Sequence, residues 1–184
     1  MKNTIYRFTI SDVIETYQKK IRESSGKEVY TTAVYEPQAK TYFRTSKDGT
    51  KTECNKCLYI NLDPLINNII AKHNMKNGFV VCSSDHTTSS VYVNHFELGL
   101  MDDLFKYLSK EYPFSPQSYK HNIWDNEFLN GAAHLKSMAM GKSAMVLIID
   151  GKLHLGKFED VIYAEFDYRG DKTFTLSFFC EEDE

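Results

Sequence analysis

The stretch Ser143 to Phe179, SAMVLIIDGKLHLGKFEDVIYAEFDYRGDKTFTLSFF, decides the fold. Its β-branched and aromatic residues fall into four runs of strand length, SAMVLII, KLHLGKF, VIYAEFDY and TFTLSFF, with turn formers at Asp150-Gly151 and Gly170-Asp171. Successive strands joined by tight turns pair antiparallel. This end of the chain therefore builds a large antiparallel sheet or sandwich.

Working outward, Gly78 to Ser84 and Ser89 to Asn94 also read as strands, because Val80, Cys82, Val91 and Val93 are β-formers in alternating or clustered positions. Helical spacing appears four times. Ser11 precedes Val13, Ile14, Tyr17 and Ile21; Asp63-Pro64 reads as an N-cap and first helical residue ahead of Leu65, Ile66, Ile69 and Ile70, with a stop at Asn77-Gly78. Leu100, Leu104, Phe105 and Leu108 mark a helix that Pro113 and Pro116 end, and a shorter one runs through Ala132 to Ala139 up to Gly141. Between Val29 and Leu62 the residues are β-like, with Asp48-Gly49 a two-residue hairpin turn. Phe114 to Asn130 has no period, and loops of this length inside a domain are commonly functional. The sum is an α+β single domain with three to four helices, and no repeat or linker divides it.

A chain of 184 residues, 42% hydrophobic, can bury one substantial core. Its net charge of −3 mixes 22 basic with 25 acidic residues and leaves no basic stripe, which argues against nucleic acid as a partner. MKNTIYRFTISD lacks the apolar run of a signal peptide, and no segment reaches membrane-spanning length, so a cytoplasmic protein without a membrane partner is expected. Four cysteines in that compartment stay reduced. Cys54 and Cys57 form CNKC, but a zinc ribbon needs a second pair and a thioredoxin-type site needs the motif to open a helix, so they read as strand cysteines. The tail EEDE, Glu181 to Glu184, reads as a solvated end.

Three segments set a histidine among small or polar residues: HTTSS (His86 to Ser90), YKHN (Tyr119 to Asn122) and NGAAHLKS (Asn130 to Ser137). Taken alone, His86, His121 and His134 are either three ordinary histidines or the ligands of one open divalent-metal site. Thr88, Ser89 and Ser90 are either strand residues or oxyanion ligands for a phosphorylated substrate, and Lys136 can add a point charge to such a site. Asn122 can orient an imidazole or touch substrate.

These segments in this order, together with GFVVCSS, MGKSAMVLIIDGKLHLGKF and EFDYRGDKTFTLSFF, resemble the YjbQ-like family, whose members carry the name secondary thiamine-phosphate synthase. The similarity runs from about Tyr59 to Phe179, so residues 1–57 read as an N-terminal extension, helix plus hairpin, packed on a core of residues 58–184. The resemblance implies a divalent metal, zinc by preference, on His86, His121 and His134, a homotrimer, and a transferase that condenses a pyrimidine diphosphate with a thiazole phosphate. Lys136 and Asn122 are then the catalytic candidates, and Thr88, Ser89 and Ser90 the substrate-binding ones. A metal-dependent phosphoester hydrolase and a non-catalytic binder of metal or small anions are the alternatives. The chain departs from the family at His95, where an acidic residue is usual and Glu97 is the nearest substitute, and at Lys157, Phe158 and Glu159, which stand where relatives carry TWQ. His73 and His154 carry no role in this reading.

Overall fold

A computed structural model of the protein describes residues 2–16, 34–37, 42–45, 48–124, 129–169 and 172–181. The elements run β1 (Lys2–Thr9), α1 (10–16), β2 (Val34–Tyr35), β3 (Tyr42–Thr45), β4 (Lys51–Cys54), β5 (Leu58–Asn61), α2 (Asp63–Lys72), β6 (Gly78–Ser84) and β7 (Ser89–Asn94). They continue with α3 (Leu98–Glu111), α4 (Lys120–Trp124), α5 (Gly131–Met140), β8 (Ser143–Ile149), β9 (Lys152–Leu153), β10 (Asp160–Glu165) and β11 (Thr173–Cys180). Expectations at Tyr17, Ile21, Val29, Gly170-Asp171 and Glu182 to Glu184 lie outside the described residues.

Two antiparallel sheets face each other. One has the order β1-β11-β6-β8-β9, the other β2-β5-β10-β7, and β3-β4 forms a separate hairpin around Asp48-Gly49. Residues of alternate parity explain the arrangement. Phe174, Leu176 and Phe178 of β11 point inward with Val80 and Cys82 of β6 and Val146 and Ile148 of β8, and they meet Leu58, Ile60, Val91, Val161 and Tyr163 of the opposing sheet. Each such side chain contributes about 1.5–3 kcal/mol on burial. β10 is buried on both sides, since Ile162 and Ala164 turn outward against Met101, Phe105, Leu108 and Ala133 beneath α3 and α5. Among the described residues nothing covers the outer face of the five-stranded sheet in this way, and Ile5 is 62%, Met145 65% and Leu147 50% exposed.

The α+β single domain with a large antiparallel sandwich is as expected, and the structure refines it in five places. β10 and β11 follow one another yet lie in different sheets, because β10, apolar on both faces, suits the sheet covered by helices, whereas β11 alternates strictly and suits the sheet with one open face. β1 was not anticipated; it adds to β11 over Lys2↔Cys180 through Thr9↔Thr173 and ties the N-terminal part of the chain into the sheet. Of KLHLGKF, only Lys152–Leu153 is strand. Leu62, not Asp63, takes the N-cap position of α2; the backbone N–H of Asp63 donates to Asn61 Oδ1 at 2.9 Å, and the Asp63 carboxylate accepts from Val161 N–H at 2.9 Å. There are five helical segments among the described residues, α4 having only five residues. At Gly78 a side chain is excluded by contact: a Cβ would stand 2.0 Å from the carbonyl oxygen of Phe179. No helix among the described residues is long and apolar enough to cross a membrane.

Candidate functional site

The HTTSS segment joins β6 to β7 at one end of the sandwich. Its turn is held by Ser84, whose hydroxyl donates to His86 O at 3.0 Å and accepts from His86 N–H at 3.1 Å. From here the chain enters β7 beside α5, and α4 packs on α5. The approach of α4 to α5 needs glycine at 131, where a Cβ would lie 2.8 Å from Tyr119 Cβ.

That packing brings His121 of α4 and His134 of α5 together, with ring centroids 4.8 Å apart and planes at 81°. His134 Nδ1 lies 3.2 Å from Thr87 O; a carbonyl only accepts, so Nδ1 carries the proton and Nε2 keeps its lone pair. Burial and the neighbouring His121 push the His134 pKa down. His121 Nε2 lies 3.0 Å from Asn130 Oδ1. Both rings line a cavity of about 310 Å³ with Tyr119, Lys120, Gly131 and Leu135.

His86 is held differently. Its Nε2 accepts from Thr173 N–H at 3.0 Å, which leaves the proton on Nδ1 and no free lone pair on the ring. His121 and His134 therefore fit a metal ion as donors, each with one available nitrogen, while His86 in this tautomer does not. Among the described residues no group of three His, Cys, Asp or Glu side chains is arranged to hold a metal ion.

The remaining expected site residues turn inward. The Thr88 hydroxyl donates to Glu165 Oε1 at 2.8 Å, Ser89 Oγ bonds Ser84 Oγ, and the Ser90 hydroxyl donates to Ser137 O at 3.2 Å. All three are buried, and none of them lines the cavity. Asn122, also buried, donates to Ser115 O at 3.0 Å and accepts from Gly131 N–H at 2.8 Å, which fastens α4 to the start of α5. Lys136 is 1% exposed; its ammonium lies over the Phe105 ring and 3.4 Å from Ser109 Oγ, and desolvation lowers its pKa. Lys120, adjacent in sequence to His121, lines the cavity instead, with its ammonium 5.7 Å from the centre of the Trp124 ring.

Reasoning from sequence missed the polar network behind the pair. Buried Glu165 accepts from Thr88, from Tyr163 OH at 3.1 Å, from Asp167 N–H at 3.0 Å and from Lys172 Nζ at 2.8 Å. Asp167 pairs with Arg169 and accepts from Asn130 Nδ2 at 3.1 Å, so the network reaches His121 through one amide. The signal was the alternation of acids and bases in EFDYRGDK, in which Glu165, Asp167, Arg169 and Lys172 all fall.

The departures lie in turns and caps. Glu97 caps α3 by accepting from Gly99 and Leu100 N–H at 2.8 Å each, and these bonds lower its pKa. Glu159 closes its own turn by accepting from Gly156 N–H at 2.7 Å, and Phe158 meets His95 with ring centroids 5.3 Å apart and planes tilted by 54°. Cys54 and Cys57 are free, buried thiols, and desolvation pushes Cys57 up to about 11, which holds it protonated.

Fold and site together define a class: two-sheet α+β sandwiches with a histidine pair held between a short helix and a helix packed on the sandwich. The chain belongs to the family described as UPF0047 protein YjbQ-like, whose model matches residues 50–181. A UPF0047 protein of Archaeoglobus fulgidus is 35% identical over 92 residues, covering 50% of this chain and 70% of that one. One from Methanothermobacter thermautotrophicus is 30% identical over 108 residues, 59% of this chain and 73% of the relative. Among solved structures, a YbjQ-like protein of unknown function from Sulfolobus solfataricus superposes with a TM-score of 0.64 at 19% identity, covering 98% of this chain and 100% of its own. A yjbq/upf0047 family protein from Clostridium acetobutylicum gives 0.60 at 25% identity over 77% of this chain and 100% of its own.

Proposed function

We propose that the protein is a transferase of the thiamine-phosphate synthase kind, and that its reaction is centred on His121 and His134. The observation that carries the reading is the pair itself: two imidazoles 4.8 Å apart, lining one cavity, one of them with a lowered pKa. In the reaction, the thiazole nitrogen forms a bond to the pyrimidine methylene carbon as that carbon's bond to the diphosphate oxygen breaks. The electron pair leaves with the diphosphate, and charge builds on it in the transition state. An imidazolium at one ring donates an N–H to the departing oxygen, and Lys120 at the cavity wall offers a second positive charge. Burial and the neighbouring ring, which lower the His134 pKa, disfavour a second positive charge on the pair. His121 and His134 would hold a divalent metal such as zinc, which would supply Lewis-acid neutralisation of the same diphosphate.

A homotrimer belongs to this reading. Ile5, Met145 and Leu147 support it, since the exposed apolar face they form is suited to burial between copies.

The test is incubation of the purified protein with both phosphorylated precursors, followed by detection of thiamine phosphate and pyrophosphate. Product is expected, with loss of about 10²-fold or more in His134→Ala, and with Lys120→Ala lowering kcat as well as kcat/KM. Turnover of generic phosphoesters without condensation identifies a hydrolase instead; metal or anion retention without turnover of either kind identifies a binding protein.

A further inference from the structure

We propose that Asp167 and Asn130 form a positioning chain that holds His121 in a single tautomer, with its proton on Nε2 and its lone pair on Nδ1. The polarity of each link follows from the one before it. Asp167 Oδ2 takes Arg169 Nε at 2.9 Å, and a carboxylate paired with a guanidinium only accepts. The group that Asn130 turns to Asp167 at 3.1 Å is therefore its NH₂. Its carbonyl must then face His121, and the ring nitrogen 3.0 Å away must be the one bearing hydrogen.

A second observation is independent of these distances. Asn130 sits at the N-cap of α5, where an asparagine side chain ordinarily accepts from the helix's first N–H groups, yet it makes no capping bond. Asn122 Oδ1 takes the N–H of Gly131 instead, at 2.8 Å. The side chain best placed to cap the helix is thus diverted to the imidazole, and its neighbour on α4 does the capping. At His134 the carbonyl of Thr87 sets the opposite tautomer, so the pair offers unlike nitrogens, Nδ1 from one ring and Nε2 from the other. Which nitrogen is free decides where a proton or an electrophile is received, and a ring able to exchange tautomers spends part of its time unable to receive either.

Long-range nitrogen–proton NMR spectra of labelled protein, recorded where both rings are neutral, test the chain directly. In the wild type His121 should be the Nε2–H form and His134 the Nδ1–H form. In Asp167→Asn the Asn130 amide is freed to turn round, and His121 should become a mixture while His134, held by a backbone carbonyl, stays as it was. Should Asp167→Asn fail to fold, Asn130→Ala removes the acceptor without removing a cap, and the same change at His121 is expected. His121 in the Nδ1–H form, or a His121 spectrum unmoved by either substitution, overturns the proposal.

The catalytic consequence rests on the transferase reading: kcat should fall about 10- to 100-fold in Asn130→Ala with KM within about twofold of wild type. The two ideas fail separately. A locked His121 in a protein that makes no product sinks the reaction and keeps the chain; product formation in which Asn130→Ala has full kcat sinks the chain and keeps the reaction.

Discussion

Replacing Lys172 by methionine should be among the most damaging single changes to this fold. The ammonium is 13% exposed and meets a carboxylate that is 0% exposed, with Nζ 2.8 Å from Glu165 Oε1, 2.7 Å from Thr88 Oγ1 and 2.8 Å from Asp167 O. Removing one partner of a buried pair leaves an uncompensated charge and costs about 3–5 kcal/mol. Glu165 keeps three donors, Thr88, Tyr163 and the Asp167 amide, which puts the expected loss at the lower end, about 3 kcal/mol. For a domain of this size that corresponds to a fall in Tm of roughly 6–12 °C. Urea unfolding followed by circular dichroism measures it, as a lower midpoint at unchanged slope. The double variant Lys172→Met, Glu165→Gln should regain much of the loss, because no charge is then buried alone. A single variant within about 1 kcal/mol of wild type, or a double variant that costs the sum of both singles, would refute the reasoning.

Lys136→Met should stabilise the protein, by on the order of 1–3 kcal/mol at neutral pH, because a buried ammonium whose partners among the described residues are Ser109 and the Phe105 ring is replaced by an apolar chain of similar length; a loss of stability in thermal melts would count against this. The depressed Lys136 pKa means that the unfolded state binds the extra proton, so wild-type stability rises with pH toward the ordinary lysine range and the variant lacks that rise. Asp63 has the reverse linkage: burial raises its carboxyl from 3.8 to about 6, the folded state binds the extra proton between those values, and stability falls as pH climbs through them. Asp63→Asn keeps the acceptor for Val161 N–H and should stabilise by about 1 kcal/mol at pH near 7, after discounting for solvent and the dipole of α2, with no gain below pH about 4; a gain equal at both pH values would exclude this cause. Light scattering at micromolar concentration should give about three times the 21.3 kDa chain mass, and Met145→Lys on the exposed sheet face should lower it; a single-chain mass for the wild type ends the trimer proposal.

Patterns of short range were legible without coordinates. The alternation of TFTLSF, Thr173 to Phe178, announces β11, Asp48-Gly49 announces the β3-β4 hairpin, and the apolar spacing of Leu100, Leu104, Phe105 and Leu108 announces α3, since each depends on neighbours within a few residues. The three histidine segments were also visible as unusual. What the chain order could not decide was direction. Alternation into β7 says that Thr88, just ahead of the strand, and Ser90 share a side, but whether that side meets the cavity or the interior depends on elements elsewhere in the chain, α5 and β10, and both sides proved to be buried. In the same way, a lysine two residues after His134 on a helix points to another face, and Lys136 went under α3 while Lys120 came to the cavity. Only the packing of α4 on α5 decided that His121 and His134 are partners, and only the pairing of β6 with β11 that His86 answers to Thr173, because hydrogen-bond polarity is set by the groups a fold brings within 3 Å and leaves no periodic trace in the sequence.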